Sequence, residues 1–171
     1  MKTVKHYMTF FALWGAVALL LYLLSSTGIM TVQIKNAQPL LLIPLIVSVA
    51  MAAREWPGLI FGGLCGIMLD ITAADSYFFN FLTLAVLGCA CGLCCSYLLN
   101  DNFYAALVLS LGCAVCYFAA HWVVFYLAVG SPDTLKYLIR YSLPSAIYTA
   151  VFLIPFYFPV RFSSKKMSYV E

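Results

Sequence analysis

Charge is scarce in this 171-residue chain, because nine Lys and Arg and six Asp and Glu together make up only 9% of it. Hydrophobic residues make up 65%, and the mean hydropathy is +1.01. A soluble domain of this size cannot hide so much apolar surface, since even a well-packed fold leaves much side-chain area in contact with solvent. The composition therefore excludes a soluble domain and predicts an integral membrane protein surrounded by membrane lipid. The few basic residues form no patch for a nucleic acid, so we expect no nucleic-acid partner.

The sequence also lacks the residue patterns that carry enzyme chemistry. It has no His-Glu-x-x-His motif, no Gly-x-Ser-x-Gly motif and no phosphate-binding loop attached to a soluble fold. Asp70 and Asp75 are five residues apart, which places them on different faces of a helix. We therefore expect no enzymatic activity, no catalytic residues and no cofactor.

Seven cysteines include two C-x-x-C pairs, Cys91/Cys94 and Cys113/Cys116, and this spacing is typical of zinc sites. Each pair lies in an uninterrupted apolar stretch, whereas structural zinc sites lie on turns. An apolar interior also disfavours the thiolate that binds a metal. We expect the cysteines to pack between helices and to hold no metal.

Six apolar stretches are long enough to cross a membrane, since a crossing needs about 20 residues. They cover residues 9–26, 37–53, 56–74, 78–99, 103–129 and 140–160. The predicted fold is an all-α integral membrane protein with one transmembrane domain, residues 1–171, built as a bundle of six helices. Prolines should bend or shorten two of them: Pro39 and Pro44 in the second, and Pro144, Pro155 and Pro159 in the sixth.

The basic residues predict the orientation, because short cytoplasmic loops are enriched in Lys and Arg. With the amino terminus inside, six basic residues fall inside and three fall outside. The inner ones are Lys2, Lys5, Arg54, Arg161, Lys165 and Lys166, and the outer ones are Lys35, Lys136 and Arg140. We therefore expect both termini in the cytoplasm and the connections 27–36, 75–77 and 130–139 on the outer side.

Glycines indicate where helices pack in two of the predicted spans. In the third span they recur at every fourth residue with one more beside them, and the fourth span contains a G-x-x-x-G. These residues are Gly58, Gly62, Gly63, Gly66, Gly88 and Gly92. In lipid, glycine lets a neighbouring backbone approach closely. We expect both faces to serve helix packing or partner docking.

Three polar residues are expected in one layer near the outer surface, where ionisable groups are functional candidates. Asp70 ends the third span, Asn80 opens the fourth and could pair with it, and His121 in the fifth could reach the same layer. Asp70 is either an interfacial carboxylate that caps a helix end or loop, or a buried hydrogen-bond hub that holds the outer loop or receives a partner. His121 is more typical of a satisfied core residue than of a ligand.

Two polar turns are expected at the inner surface. Arg54 and Glu55 begin a tight turn that continues to Pro57, and Pro57 suits a first helical position. The two charged residues are expected to be solvated, although together they could dock a cytoplasmic partner. The second turn is Asn100-Asp101-Asn102.

From about residue 39 to 130 these motifs resemble the rod-shape-determining MreD family. The similar features are the proline-bearing second helix, the glycine-striped third helix that ends Gly-Ile-Met-Leu-Asp70, Asn80 at the entry to a glycine-bearing fourth helix, and His-Trp-Val-Val-Phe-Tyr from His121 in the fifth. One position departs from the pattern: the family usually has a glycine two residues before the asparagine, where this chain has Phe78.

The resemblance implies a non-enzymatic subunit of the bacterial cell-elongation machinery in the inner membrane. Such proteins bind the bitopic protein MreC and help to couple actin-like filaments to the glycosyltransferase and transpeptidase that build peptidoglycan.

The helix pattern is also similar to that of the substrate-binding subunits of energy-coupling-factor vitamin transporters, so transport is the alternative function. In that case an outward-facing pocket would be lined by the three residues of the outer layer and two aromatic residues near them: Asp70, Asn80, His121, Trp122 and Tyr126.

Overall fold

The structure is a computed structural model that describes residues 2–26, 40–72, 78–97, 103–124, 145, 149 and 152–168. These residues form helices and no strand. The helices with described bounds are α1 (Lys2–Ser26), α2 (Leu42–Ala53), α3 (Glu55–Thr72), α4 (Phe79–Tyr97), α5 (Phe103–Trp122) and α6 (Leu153–Ser168). The prediction of an all-α chain is confirmed for this part of the molecule.

Three of the helices are long and apolar enough to cross a membrane: Thr9–Ser26 within α1, and the whole of α4 and of α5. α1 begins at Lys2, ahead of the predicted span, and α3 begins at Glu55 and ends at Thr72. The predicted connections 27–36, 75–77, 100–102 and 130–139 lie outside the described residues, as does most of 140–151. The count of six spans therefore stays a prediction.

α2 is the centre of the packing. Eleven of its 12 residues are buried, and it contacts each of the other five helices. An apolar surface on every side is the pattern of a helix enclosed by others. Pro44 does not end this helix, which continues to Ala53. It lies in the first turn, where a backbone N–H would have no helical partner in any case.

The start of α2 is fastened to the segment before α6 by a buried hydroxyl. Leu40 donates its N–H to Thr149 Oγ1 at 3.2 Å, and that hydroxyl donates to the Ser145 carbonyl at 2.7 Å. Thr149 is fully buried. One side chain therefore satisfies a backbone group at the helix start that the helix itself leaves unpaired.

In α6 the prolines at the carboxyl end do not end the helix early, which was one of the two effects expected of them. Pro159 lies inside the helix, which continues to Ser168. A proline in a helix interior removes one backbone hydrogen bond. The Pro159 neighbours Tyr157 and Val160 are buried in the core.

Candidate functional site: a glycine-packed helix pair with a polar end

α3 and α4 form the closest pair of helices and run antiparallel. Gly58 lies against Gly88, Gly62 against Leu84, and Gly66 against Phe81. As the residue number rises along α3 it falls along α4, in steps of about one turn. The glycines that the sequence places on one face of the third span therefore meet α4 along nearly its whole length.

Backbone lies directly on backbone along this contact, so no side chain fits there. A Cβ atom added to Gly58 would lie 2.6 Å from the Gly88 carbonyl oxygen, and one added to Gly66 would lie 2.5 Å from Phe81 Cα. One added to Gly92 would lie 2.5 Å from Glu55 Cα. Gly63 differs, because its nearest neighbour is the edge of the Phe81 ring at 3.0 Å, which can move.

This contact is internal to the chain. α4 occupies the face of α3 that carries Gly58, Gly62 and Gly66, and all three are buried. Of the two uses that we expected for the stripe, helix packing and partner docking, the structure places the glycines in the first. A second protein could reach this face only if α4 moved away from it.

Asp70 holds the beginning of α4 from the end of α3. Its Oδ1 accepts the Asn80 N–H at 3.2 Å and its Oδ2 accepts the Phe81 N–H at 2.8 Å. These two N–H groups belong to the first turn of α4, where a helix has no internal partner for them. A carboxylate also suits the positive end of the helix dipole. Asp70 thus caps α4 from another helix, and its contact with Asn80 is to the Asn80 backbone N–H rather than to the Asn80 side chain.

The residue before α4 has a backbone conformation that favours glycine. Phe78 has a φ of 59°, in the left-handed region, and its side chain is 71% exposed. A non-glycine residue pays about 1–2 kcal/mol for that conformation. This is the position where the MreD pattern usually has glycine. Asp70 caps the adjacent N–H groups despite this departure.

The Asn80 side chain links α4 to α5. It is buried, and its Oδ1 accepts the Tyr117 hydroxyl at 2.7 Å. His121 lies one turn beyond Tyr117, with its ring 6.0 Å from the Phe79 ring and 6.4 Å from the Tyr117 ring. Asn80 is therefore bonded to Asp70 through its N–H and to Tyr117 through its side chain, and His121 lies beside Tyr117, which was not among the residues expected in this layer.

Tyr117 could have been found from the sequence, because it lies one turn before His121 on the same face of the fifth span. No comparable spacing in the sequence marks Thr149. Trp122 is half-buried in α5, and Tyr126 lies outside the described residues.

At the opposite end of the pair, Arg54 alone joins α2 to α3. It has a φ of 72°, its N–H donates to the Ala50 carbonyl at 2.9 Å, and its carbonyl accepts the Gly58 N–H at 3.0 Å. The turn is thus shorter than predicted, and Pro57 is the third residue of α3 rather than the first. Arg54 is exposed, whereas Glu55 is half-buried and accepts the Ser96 hydroxyl of α4 at 3.1 Å.

The described residues contain no group of three or more His, Cys, Asp or Glu side chains that could hold a metal ion. The polar groups at the Asp70 end are engaged with helix ends and with one another. The fold and this site define a helical membrane protein in which polar side chains join helices.

The chain belongs to the MreD family, described as rod shape-determining protein MreD, which it matches over residues 6–167. Comparisons with curated proteins and with solved structures found no significant match. The match covers nearly the whole chain, more than the 39–130 segment in which the sequence motifs show the resemblance. Membership in this family implies a role in determining rod shape, and it favours the first of the two functions considered from the sequence over transport.

Proposed function

We propose that this protein is a non-enzymatic scaffold subunit of the bacterial cell-elongation complex. It crosses the inner membrane several times with both termini in the cytoplasm. It binds an MreC-like bitopic protein and helps to couple cytoskeletal filaments to the peptidoglycan glycosyltransferase and transpeptidase. The rod-shape role of the family supports this proposal.

The observation that carries the proposal is how the polar residues at the Asp70 end are used. Asp70 caps α4, and Asn80 accepts a hydrogen bond from Tyr117 of α5, so the ends of three helices are fastened together. Hydrogen bonds within a membrane bundle hold helices in a defined arrangement. A fixed arrangement of helix ends is what a scaffold must present to its partners.

The partner contact proposed here lies at this same end. α4 covers the glycine face of α3, so the partner must use another surface. Two large apolar side chains flank the connection from α3 to α4: Ile71 is 76% exposed and Phe78 is 71% exposed. Exposed apolar side chains beside a rigid polar layer suit the contact with a second membrane protein.

The test is recovery of partners from native membranes. The tagged full-length chain is purified in mild detergent, and the proteins that accompany it are identified and quantified by mass spectrometry. Phe78→Ala is compared with Trp56→Ala, because Trp56 is an equally exposed aromatic residue, 72%, at the Arg54 end of α3. The amount of each variant in the membrane is measured first, so that differences in recovery are not differences in expression.

We expect an MreC-like protein to accompany the unmodified chain and Trp56→Ala, and its recovery to fall several-fold with Phe78→Ala. A loss confined to Trp56→Ala would move the contact to the Arg54 end. Recovery of an ATPase module in place of any elongation protein would contradict the scaffold role and favour transport.

A further inference from the structure

Two thiols meet at the contact between α4 and α5. The Sγ atoms of Cys91 and Cys113 are 2.9 Å apart, and both residues are buried, with 1% and 7% of their surfaces exposed. Both cysteines are free. Ordinary contacts between carbon atoms are about 3.5–4.0 Å long. The two thiols are therefore in direct contact, as in a hydrogen bond in which either sulfur could be the donor.

The other cysteines differ from this pair in their surroundings. Cys65 is buried in α3, and Cys116 is exposed. The Cys95 thiol donates a hydrogen bond to the Met51 carbonyl oxygen at 3.9 Å. Cys91 and Cys113 are the two whose sulfur atoms face each other from different helices. A direct sulfur–sulfur bond requires two thiols that lie close to each other.

We propose that Cys91 and Cys113 form an oxidisable dithiol, which hydrogen peroxide converts into a disulfide that joins α4 covalently to α5. Hydrogen peroxide is a small, uncharged oxidant that can enter a membrane protein between its helices. This assignment does not depend on the scaffold function proposed above.

The reaction has two steps and balances without a further reagent. One thiol loses its proton and the thiolate attacks a peroxide oxygen, so that the O–O bond breaks and one water leaves with that proton as a sulfenic acid forms. Because the apolar surroundings disfavour the thiolate, this first step is slow and needs excess peroxide. The second sulfur attacks the sulfenic sulfur, the S–O bond breaks, and a second water leaves with the thiol proton. Each cysteine sulfur gives up one electron, and the peroxide takes up both as it is reduced to two molecules of water.

A metal centre is the competing use of these residues. Cys94 and Cys116 lie one turn from the pair and complete two C-x-x-C motifs. Nevertheless, the described residues place no three such side chains where they could hold an ion together. A structural zinc site takes four ligands. The geometry of two sulfurs in direct contact therefore favours the disulfide.

The experiment uses the full-length chain in native membranes, with a protease site inserted at residue 100, between α4 and α5. Membranes are treated with hydrogen peroxide, free thiols are blocked with N-ethylmaleimide, and the chain is cleaved. We expect the two halves to migrate together on a non-reducing gel and to separate after reduction. Peptide mass spectrometry of the uninterrupted chain should recover a peptide of α4 linked to one of α5.

The variants show which thiols are involved. Cys91→Ala and Cys113→Ala should each lose the link completely, while Cys89→Ala and Cys116→Ala should keep it. Halves that separate in the unmodified chain after peroxide, or a link that persists in Cys91→Ala, would overturn the proposal. So would a stoichiometric metal ion in the purified protein that is lost in Cys91→Ala.

Discussion

The two contacts that α4 makes with its neighbours in sequence are built in different ways. Against α3, backbone meets backbone, and Gly58, Gly62 and Gly66 leave no room for a side chain. Against α5, side chains meet, as in the bond from Tyr117 to Asn80 and the contact of Cys91 with Cys113. The middle of the α3 contact therefore excludes any added atom, and polar side chains join only its two ends, whereas the α5 contact depends on the chemistry of particular groups along its length.

This difference shows that a glycine in an apolar helix does not by itself mark a contact with another helix. A Cβ atom added to Gly62 of α3 would overlap the backbone of α4, but one added to Gly15 of α1 or to Gly112 of α5 would meet nothing within 4 Å. Every glycine in a helix lowers its intrinsic stability by about 1 kcal/mol relative to alanine. For Gly62 close packing offsets that cost, and for Gly112 no packing within the described chain does.

The largest loss of stability is expected from adding one carbon atom at the contact between α3 and α4. In Gly62→Ala the new Cβ would overlap the Leu84 carbonyl oxygen, which is backbone and cannot turn aside. α3 and α4 must separate, at a cost of about 3 kcal/mol. We expect a much lower melting temperature in detergent, and loss of the monodisperse peak in size-exclusion chromatography.

Gly112→Ala is the matched control for this substitution, because the same carbon enters open space. It should leave the melting temperature unchanged or raise it slightly, since alanine favours a helix. Equal destabilisation by the two substitutions would mean that lost glycine flexibility, rather than the close approach of α4, decides the stability.

A smaller effect is expected from removing the cap of α4. Asp70→Ala leaves the N–H groups of Asn80 and Phe81 without their carboxylate, which costs about 1–2 kcal/mol, as loss of a helix cap does. Amide hydrogen exchange should quicken in the first turn of α4 while the rest of the helix stays protected. Ser96→Ala is the control at the opposite end, because its bond to Glu55 is exposed and should contribute under about 0.5 kcal/mol. Unchanged exchange in Asp70→Ala would contradict the capping role.

Much of the α3–α4 contact can be predicted from the sequence. Glycines at every fourth residue identify the face, and a carboxylate just before a connection predicts a polar link to the next helix. The identity of the neighbour cannot be read in the same way. Spacing alone does not distinguish a face covered by α4 from one open to a partner, because both have the same pattern.

The features that the sequence did not predict depend on long-range packing. Thr149 fastens the start of α2 across 109 positions of the chain, and no local pattern marks it. Pro159 lies inside α6 beside the buried Tyr157 and Val160, although proline usually ends or bends a helix. Tertiary contacts override local preferences at such positions.

The smallest loss of stability is expected at the contact between α4 and α5. Tyr117→Phe keeps the ring and removes only the hydroxyl that donates to Asn80 at 2.7 Å. Loss of that bond leaves a buried amide oxygen unpaired, although hydrogen bonds between membrane helices average only about 0.6 kcal/mol. A double-mutant cycle with Asn80→Ala isolates the bond, because coupled residues give an interaction energy of at least about 0.5 kcal/mol. If Tyr117→Phe is as destabilising without Asn80 as with it, apolar packing alone joins α4 to α5. The two sides of α4 would then differ in how closely the helices approach, and not in the kind of interaction that holds them.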